Sequence, residues 1–228
     1  MEEVIKDIWD DLLMEHLVAG TKTALTKAEQ QHLAIALQEW TAKGILVYLE
    51  RLMEEAGVPD PAEMLEKKEL TIHFQGKTNF LGGIRQQEVD VWMSNSKAGL
   101  VLAVDPKHFQ SRESLNKNWK NGHNDLVAFA NNLHERFPLC AVGGVISFPL
   151  EAASKSMLRQ MYGICSRSIP RLRPSNANSK FEGFALAPYT SAGELVWPSE
   201  FDEDSTLRPD NAFGSLASMV FQRTLALI

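Results

Sequence analysis

The chain has 228 residues, 44% hydrophobic and 23% charged with a net charge of −6, the make-up of an ordinary soluble globular protein with room for one sizeable core. No uninterrupted apolar run approaches the ~20 residues of a membrane-spanning helix, and the acidic, amphipathic start MEEVIKDIWDDLL is the wrong chemistry for a signal peptide. Two cysteines, Cys140 and Cys165, suit neither a zinc site nor a disulfide framework, so a reduced, cytoplasmic setting with no membrane partner is expected.

Residues 2–18 are predicted to form an amphipathic helix, with Ile5, Ile8, Leu12 and Leu17 near helical spacing and Gly20 ending it. Thr26 and Glu29 make a capping box that opens a long helix running to about Gly57, with Leu33, Leu37, Trp40, Val47, Tyr48 and Leu52 on or near one stripe. Asp60 as N-cap and Pro61 behind it start a short helix, so Pro59-Asp60 is a cap. Residues 70–80 alternate as a strand, and Leu81-Gly82-Gly83 turns the chain. Residues 86–107, QQEVDVWMSNSKAGLVLAVDPK, read as two strands joined by a polar turn at 94–99. A helix over 113–136 is rich in amide and basic side chains early and apolar later, and Pro138 stops it. Residues 139–148 are a nearly continuous apolar run, as expected of a strand buried on both faces. A helix over 151–166, a Pro/Ser/Asn loop over 167–180, a strand over 181–189 and a last helix from about Asn211 complete the chain. The expected fold class is α/β, a single domain with a central mixed β-sheet flanked by helices.

Charge is unevenly placed along this order. Residues 1–70 carry 7 Lys/Arg against 15 Asp/Glu, residues 71–180 carry 14 against 7, and residues 181–228 carry 2 against 7. The basic middle holds the 86–107 hairpin, and polyanion binding depends on local surface rather than on the total. Residues two apart on a strand share a face, so Asp105 points with Lys107 and Glu88 with Asp90. An antiparallel hairpin around 94–99 puts Asp90 opposite Asp105 or two residues off, with directly opposed Cβ atoms ~5 Å apart. Two carboxylates that close repel, and a hard divalent cation relieves the repulsion by taking oxygens from both, with the Pro106 carbonyl as a third.

Asp90, a hairpin, then Asp105-Pro106-Lys107 resembles the PD-(D/E)xK nuclease motif, and the surrounding order of helix, three strands, helix, strand is similar to the restriction-endonuclease-like core. The resemblance covers about residues 30–165, leaving the N-terminal helix and the segment 181–228 as additions. It implies Asp90 and Asp105 as metal ligands, Lys107 as the catalytic lysine, Glu88 in reserve, and Mg²⁺ as the cofactor with Mn²⁺ able to substitute. Val89 stands where the motif has Pro, and Asp-x-Lys replaces Glu-x-Lys. Family members often add an acid from the helix before the sheet, for which Glu50 and Glu54 are the candidates.

The function implied is Mg²⁺-dependent hydrolysis of double-stranded DNA, most like a small type II restriction enzyme of prokaryotic or phage origin. A homodimer is expected, with the terminal helices as interface elements. A structure-specific repair or defence nuclease of the same fold, or an inactive DNA-binding or assembly protein, are the alternatives. Lys117, Asn118, Lys120, Asn121 and His123 suit adenine or phosphate contacts, with a solvated helix face an equal reading for His123. Arg167, Arg171, Arg173 and Lys180 suit phosphates ahead of guanine edges. His108 is read as a strand-end surface residue, and Trp9, Trp40 and Trp119 as core or interface.

Overall fold

Short polar side chains set where the helices begin. In the computed structural model, which describes residues 1–22, 25–76 and 78–225, α1 spans Glu2–Lys22 and α2 spans Lys27–Glu55. The Thr26 hydroxyl accepts from the Glu29 N–H at 3.3 Å while the Glu29 carboxylate accepts from the Thr26 N–H at 2.7 Å, the reciprocal cap that the sequence predicts. Asp60 accepts from the Glu63 N–H at 2.9 Å and starts α3, Pro61–Lys67. Ser111 and Ser154 cap α4, Arg112–Arg136, and α5, Lys155–Cys165, in the same way. Pro209 opens α6, Pro209–Val220, which passes into a π-helical turn over Phe221–Leu225. Gly20 does not end α1: an interior glycine costs only ~1 kcal/mol, and the buried face of Ile5, Trp9, Leu13 and Leu17 outweighs that. Among the described residues no helix is long and apolar enough to cross a membrane.

The strands are β1 (Ile72–His73), β2 (Thr78–Leu81), β3 (Gln86–Val89), β4 (Val91–Asn95), β5 (Gly99–His108), β6 (Ala141–Pro149) and β7 (Gly183–Tyr189). Five of them form a mixed sheet in the order β1-β4-β5-β6-β7. β1, β4 and β5 are antiparallel, and β5, β6 and β7 are parallel, so β5, β6 and β7 end at one edge. β2 and β3 make a separate antiparallel ribbon. The single strand expected over 70–80 is therefore two pieces, separated near Gly76 at φ +89. The strand expected from residue 86 is broken at Asp90, where the chain leaves the ribbon and enters the sheet. The ribbon tip is held by Asn132 of α4, whose Oδ1 accepts from the Ile84 and Arg85 N–H groups at 2.9 and 3.1 Å.

One face of the sheet is covered by α1, α2 and α6, the other by α4 and α5. Trp9 and Trp40 meet edge to face at 4.8 Å and Trp40 meets Phe213 at 4.9 Å, with each indole N–H bonded to a carbonyl. A Cβ on Gly44 would lie 2.5 Å from the Phe213 ring, so this glycine lets α2 and α6 approach. The terminal helices α1 and α6 bury their apolar faces inside the chain. Register shifts once in β5: Met93 pairs with Leu102 but Ser94 with Leu100, leaving Val101 as a bulge. Beyond it, Leu102 and Val104 face α2 while Ala103 faces α4.

At the edge where β6 and β7 begin, Glu182 is fully enclosed. Its Oε1 accepts from Arg171 at 2.9 Å and Arg223 at 2.7 Å, and its Oε2 from the Val142 N–H at 2.9 Å, with His134 Nε2 at 3.1 Å. Burial acts to raise the Glu182 pKa, but the surrounding donors outweigh it and hold it below the ordinary carboxylate value. A depressed pKa contributes stability that is fully present above the unfolded value near 4.5 and lost as pH falls through the lower folded value. Glu182→Gln should cost about 3–5 kcal/mol at pH 7. Urea unfolding followed from pH 7 to pH 3 should show the difference between wild type and variant shrinking over the acid part of that range.

Candidate active site

β4 makes its first sheet pair at Val91 with Val104. One step outward on each strand are Asp90 and Asp105, which antiparallel register therefore sets side by side. The Asp105 residue is 8% exposed, and its Oδ2 accepts from Lys107 Nζ at 2.8 Å. Its Oδ1 is buried with no hydrogen-bond partner among the described residues. The Asp105 pKa is pushed up to about 6, chiefly by burial; Lys107 pulls it down, and Asp90 pushes it up by charge and by a hydrogen bond that requires a protonated carboxyl. The sequence-predicted trio of Asp90, Asp105 and Lys107 is thus brought together at the carboxyl ends of β5 and β6, the edge where open α/β sheets bind ligands.

A carboxylate oxygen buried without a donor, beside a second carboxylate, fits a hard cation better than it fits any side chain present. Among the described residues no group of three His, Cys, Asp or Glu side chains is placed to hold a metal. Two carboxylates are nevertheless the set Mg²⁺ uses when substrate phosphate and water complete its shell. Phe109 donates its N–H to Ser147 O across the β5–β6 ladder, so by strand alternation Pro106 turns its carbonyl the other way, to the side where β4 has not yet begun. Proline is tolerated there because no N–H is needed.

Other expected residues are placed less favourably. Glu88 is exposed in the ribbon, in register with Asn79. Glu50 borders a groove with α3 and β1, whereas Gln30 and Ala34 are the α2 residues beside Lys107. Sixteen residues of helix, about 24 Å, separate Glu50 from Ala34, and Glu54 is a further turn away, so neither acid joins the pair. His123 is 7% exposed and bonds Ser168 Oγ at 2.9 Å, a core histidine rather than a phosphate donor. Arg171 is 0% exposed and committed to Glu182. Its loop, with Arg173 and Lys180, packs at Pro138 and Glu135, the edge opposite Asp105. β6 separates the two edges by about 30 Å. Exposed Arg167 follows the end of α5. Lys117, Asn118, Lys120 and Asn121 are exposed on the first half of α4. That half starts at the Asp105 edge, since Ser114 lines the depression beside Lys107. Lys117 also pairs with Glu113 at 2.6 Å.

Two further residues bear on the site. His108, expected at the surface, is half-buried: it stacks on Tyr189 at 5.8 Å, its Nε2 is buried with no hydrogen-bond partner among the described residues, and burial pushes its pKa down to about 4. Ser147, its register partner, is 1% exposed with an unpartnered Oγ. A hydroxyl interrupting the apolar run of β6 was the available signal.

A raised carboxylate pKa favours folding below the unfolded value near 3.8, and that advantage is lost as pH rises through about 6. Asp105→Asn should therefore raise the melting temperature of metal-free protein at pH 8 more than at pH 4. Millimolar Mg²⁺ should raise the melting temperature of the wild type and leave that of Asp105→Asn unchanged, both read by thermal unfolding. Comparison with protein-family models, curated proteins and solved structures returns no match.

Proposed function

We propose that the chain is a Mg²⁺-dependent DNA endonuclease of the PD-(D/E)xK, restriction-endonuclease-like superfamily, hydrolysing phosphodiester bonds in double-stranded DNA. The observation that carries the reading is the contact of Asp90 with a nine-tenths-buried Asp105 that leaves one oxygen without a donor and the other on Lys107. Topology supports it: α2, then antiparallel β1, β4 and β5, then α4, then parallel β6 follow the helix, three-strand, helix, strand order of that core.

Asp90 and Asp105 would hold Mg²⁺, with the Pro106 carbonyl as a further oxygen. When bound, the ion supplies charge neutralisation at the scissile phosphate and lowers the pKa of water. Lys107 orients the attacking water by hydrogen bonding and stabilises charge that builds on the phosphate oxygens. The Asp105 carboxylate holds the ammonium in position before substrate arrives, so little reorganisation is left for the reaction itself. The exposed amide and basic face of α4 is the element that meets the DNA backbone near the site.

Plasmid and linear duplex DNA incubated with the protein should be cut with Mg²⁺ and left intact with EDTA. Lys107→Ala should lower the rate by about 10²–10³, and Asp90→Asn or Asp105→Asn should abolish cutting, with circular dichroism unchanged. Discrete fragments mark a sequence-specific enzyme. Cutting untouched by all three substitutions would refute the site.

A further inference from the structure

The depression beside Lys107 has a lining that the carboxylate pair does not use. It encloses about 320 Å³, at the small end of the ~300–1,000 Å³ range of small-molecule pockets. Leu25 just before α2, Leu33 and Ala34 in its first turns, and Pro106 at the end of β5 give it apolar walls. Its polar groups include the amide of Gln30 and the imidazole of His108. Gln30 is anchored by donating to Leu25 O at 3.1 Å, which leaves its amide oxygen as an acceptor of fixed position. His108 is held by its stack on Tyr189, and its buried Nε2 has no hydrogen-bond partner among the described residues. Among the described residues no Asp or Glu lines the space, and Lys107 forms part of its wall while its ammonium sits on Asp105.

Apolar walls, an amide at a fixed position, the face of an imidazole and Lys107 at one end match a flat heterocycle that carries hydrogen-bonding edges and is joined to a phosphate. We propose that this depression is a nucleotide subsite, which takes one unstacked base of the substrate strand next to the phosphate that Lys107 and a metal ion at Asp90 and Asp105 would hold. The connection to cleavage rests on the nuclease reading; the binding of a nucleotide does not. A base stacked inside an intact duplex cannot enter such a space. The strand must present it from an end or a single-stranded stretch, or by rotation out of the helix at a cost of a few kcal/mol. The site thereby favours DNA that is already open where it is cut, and it reads a single base by its edge.

The test uses the full chain without metal, titrated with dAMP, dCMP, dGMP and dTMP in turn. Ring C–H resonances of His108, identified by their loss in His108→Gln, report occupancy by NMR. At least one nucleotide should move them saturably. Ala34→Trp, at an exposed helix position, fills the depression and should weaken that nucleotide about tenfold or more, a loss of ~1.4 kcal/mol. Gln30→Ala offers a second variant that disturbs packing little and should weaken binding in the same direction. Failure of all four nucleotides to move His108, or unchanged affinity in both variants, overturns the subsite. Mg²⁺-dependent cutting without nucleotide binding overturns the subsite and spares the nuclease reading. Nucleotide binding without cutting of any DNA keeps the subsite and removes the nuclease reading.

Discussion

Like charges in contact repel by several kcal/mol at the effective dielectric of a protein interior, and Asp90 and Asp105 are kept in contact by the sheet itself. The antiparallel pairing of β4 with β5 begins immediately beyond them, so neither can retreat without undoing ladder bonds. Burial of Asp105 withholds water that would otherwise screen its side of the contact. Part of the strain is relieved by Lys107 and part by the upward pull on the Asp105 pKa. What remains is a standing affinity for positive charge, expressed in the raised Asp105 pKa. A folded scaffold stores that affinity at the expense of stability, which is the arrangement expected where function rather than folding selects the residues.

Much of this was legible from residue types at fixed spacing. Asp105 and Lys107 share a face because strand parity is a local property, and the Thr26–Glu29 and Asp60 caps are local too. The apolar run of β6 predicted a strand buried on both faces, and all nine of its residues are buried. Long-range partners were not legible. Arg171 looked like a surface arginine in a Pro/Ser/Asn loop, because nothing near it in sequence announces Glu182 eleven residues later as a buried partner. His123 was read by its amide-rich neighbours, yet helical periodicity turns it inward toward Ser168 and Phe184. The break at Asp90 was hidden for a similar reason. QQEVDVWM reads as one strand, and only the competition between ribbon and sheet for its two halves divides it.

The position of α2 follows from packing rather than from chemistry. Gly44 lets it lie close against α6, and this fixes its first turns, not its middle, beside the end of β5. A helix carrying acids at 50 and 54 therefore contributes an amide and small apolar groups near Lys107 instead. The carboxylates remain a pair, and the residues that α2 sets beside them are uncharged. That neutrality leaves room for a group that three converging acids would exclude.

The two ends of the central strands differ in how their charges are settled. Where β6 and β7 begin, Glu182 is matched by Arg171 and Arg223 and nearly every lone pair is used. Where β5 and β6 finish, Asp105, His108 and Ser147 each retain a buried polar atom with no hydrogen-bond partner among the described residues, against Arg171 Nε at the Glu182 end. About 30 Å of strand lies between them, some three screening lengths at ~0.1 M salt. Substitutions at the Asp105 end therefore leave the Glu182 cluster intact, so that end can change while the fold stays anchored at the other.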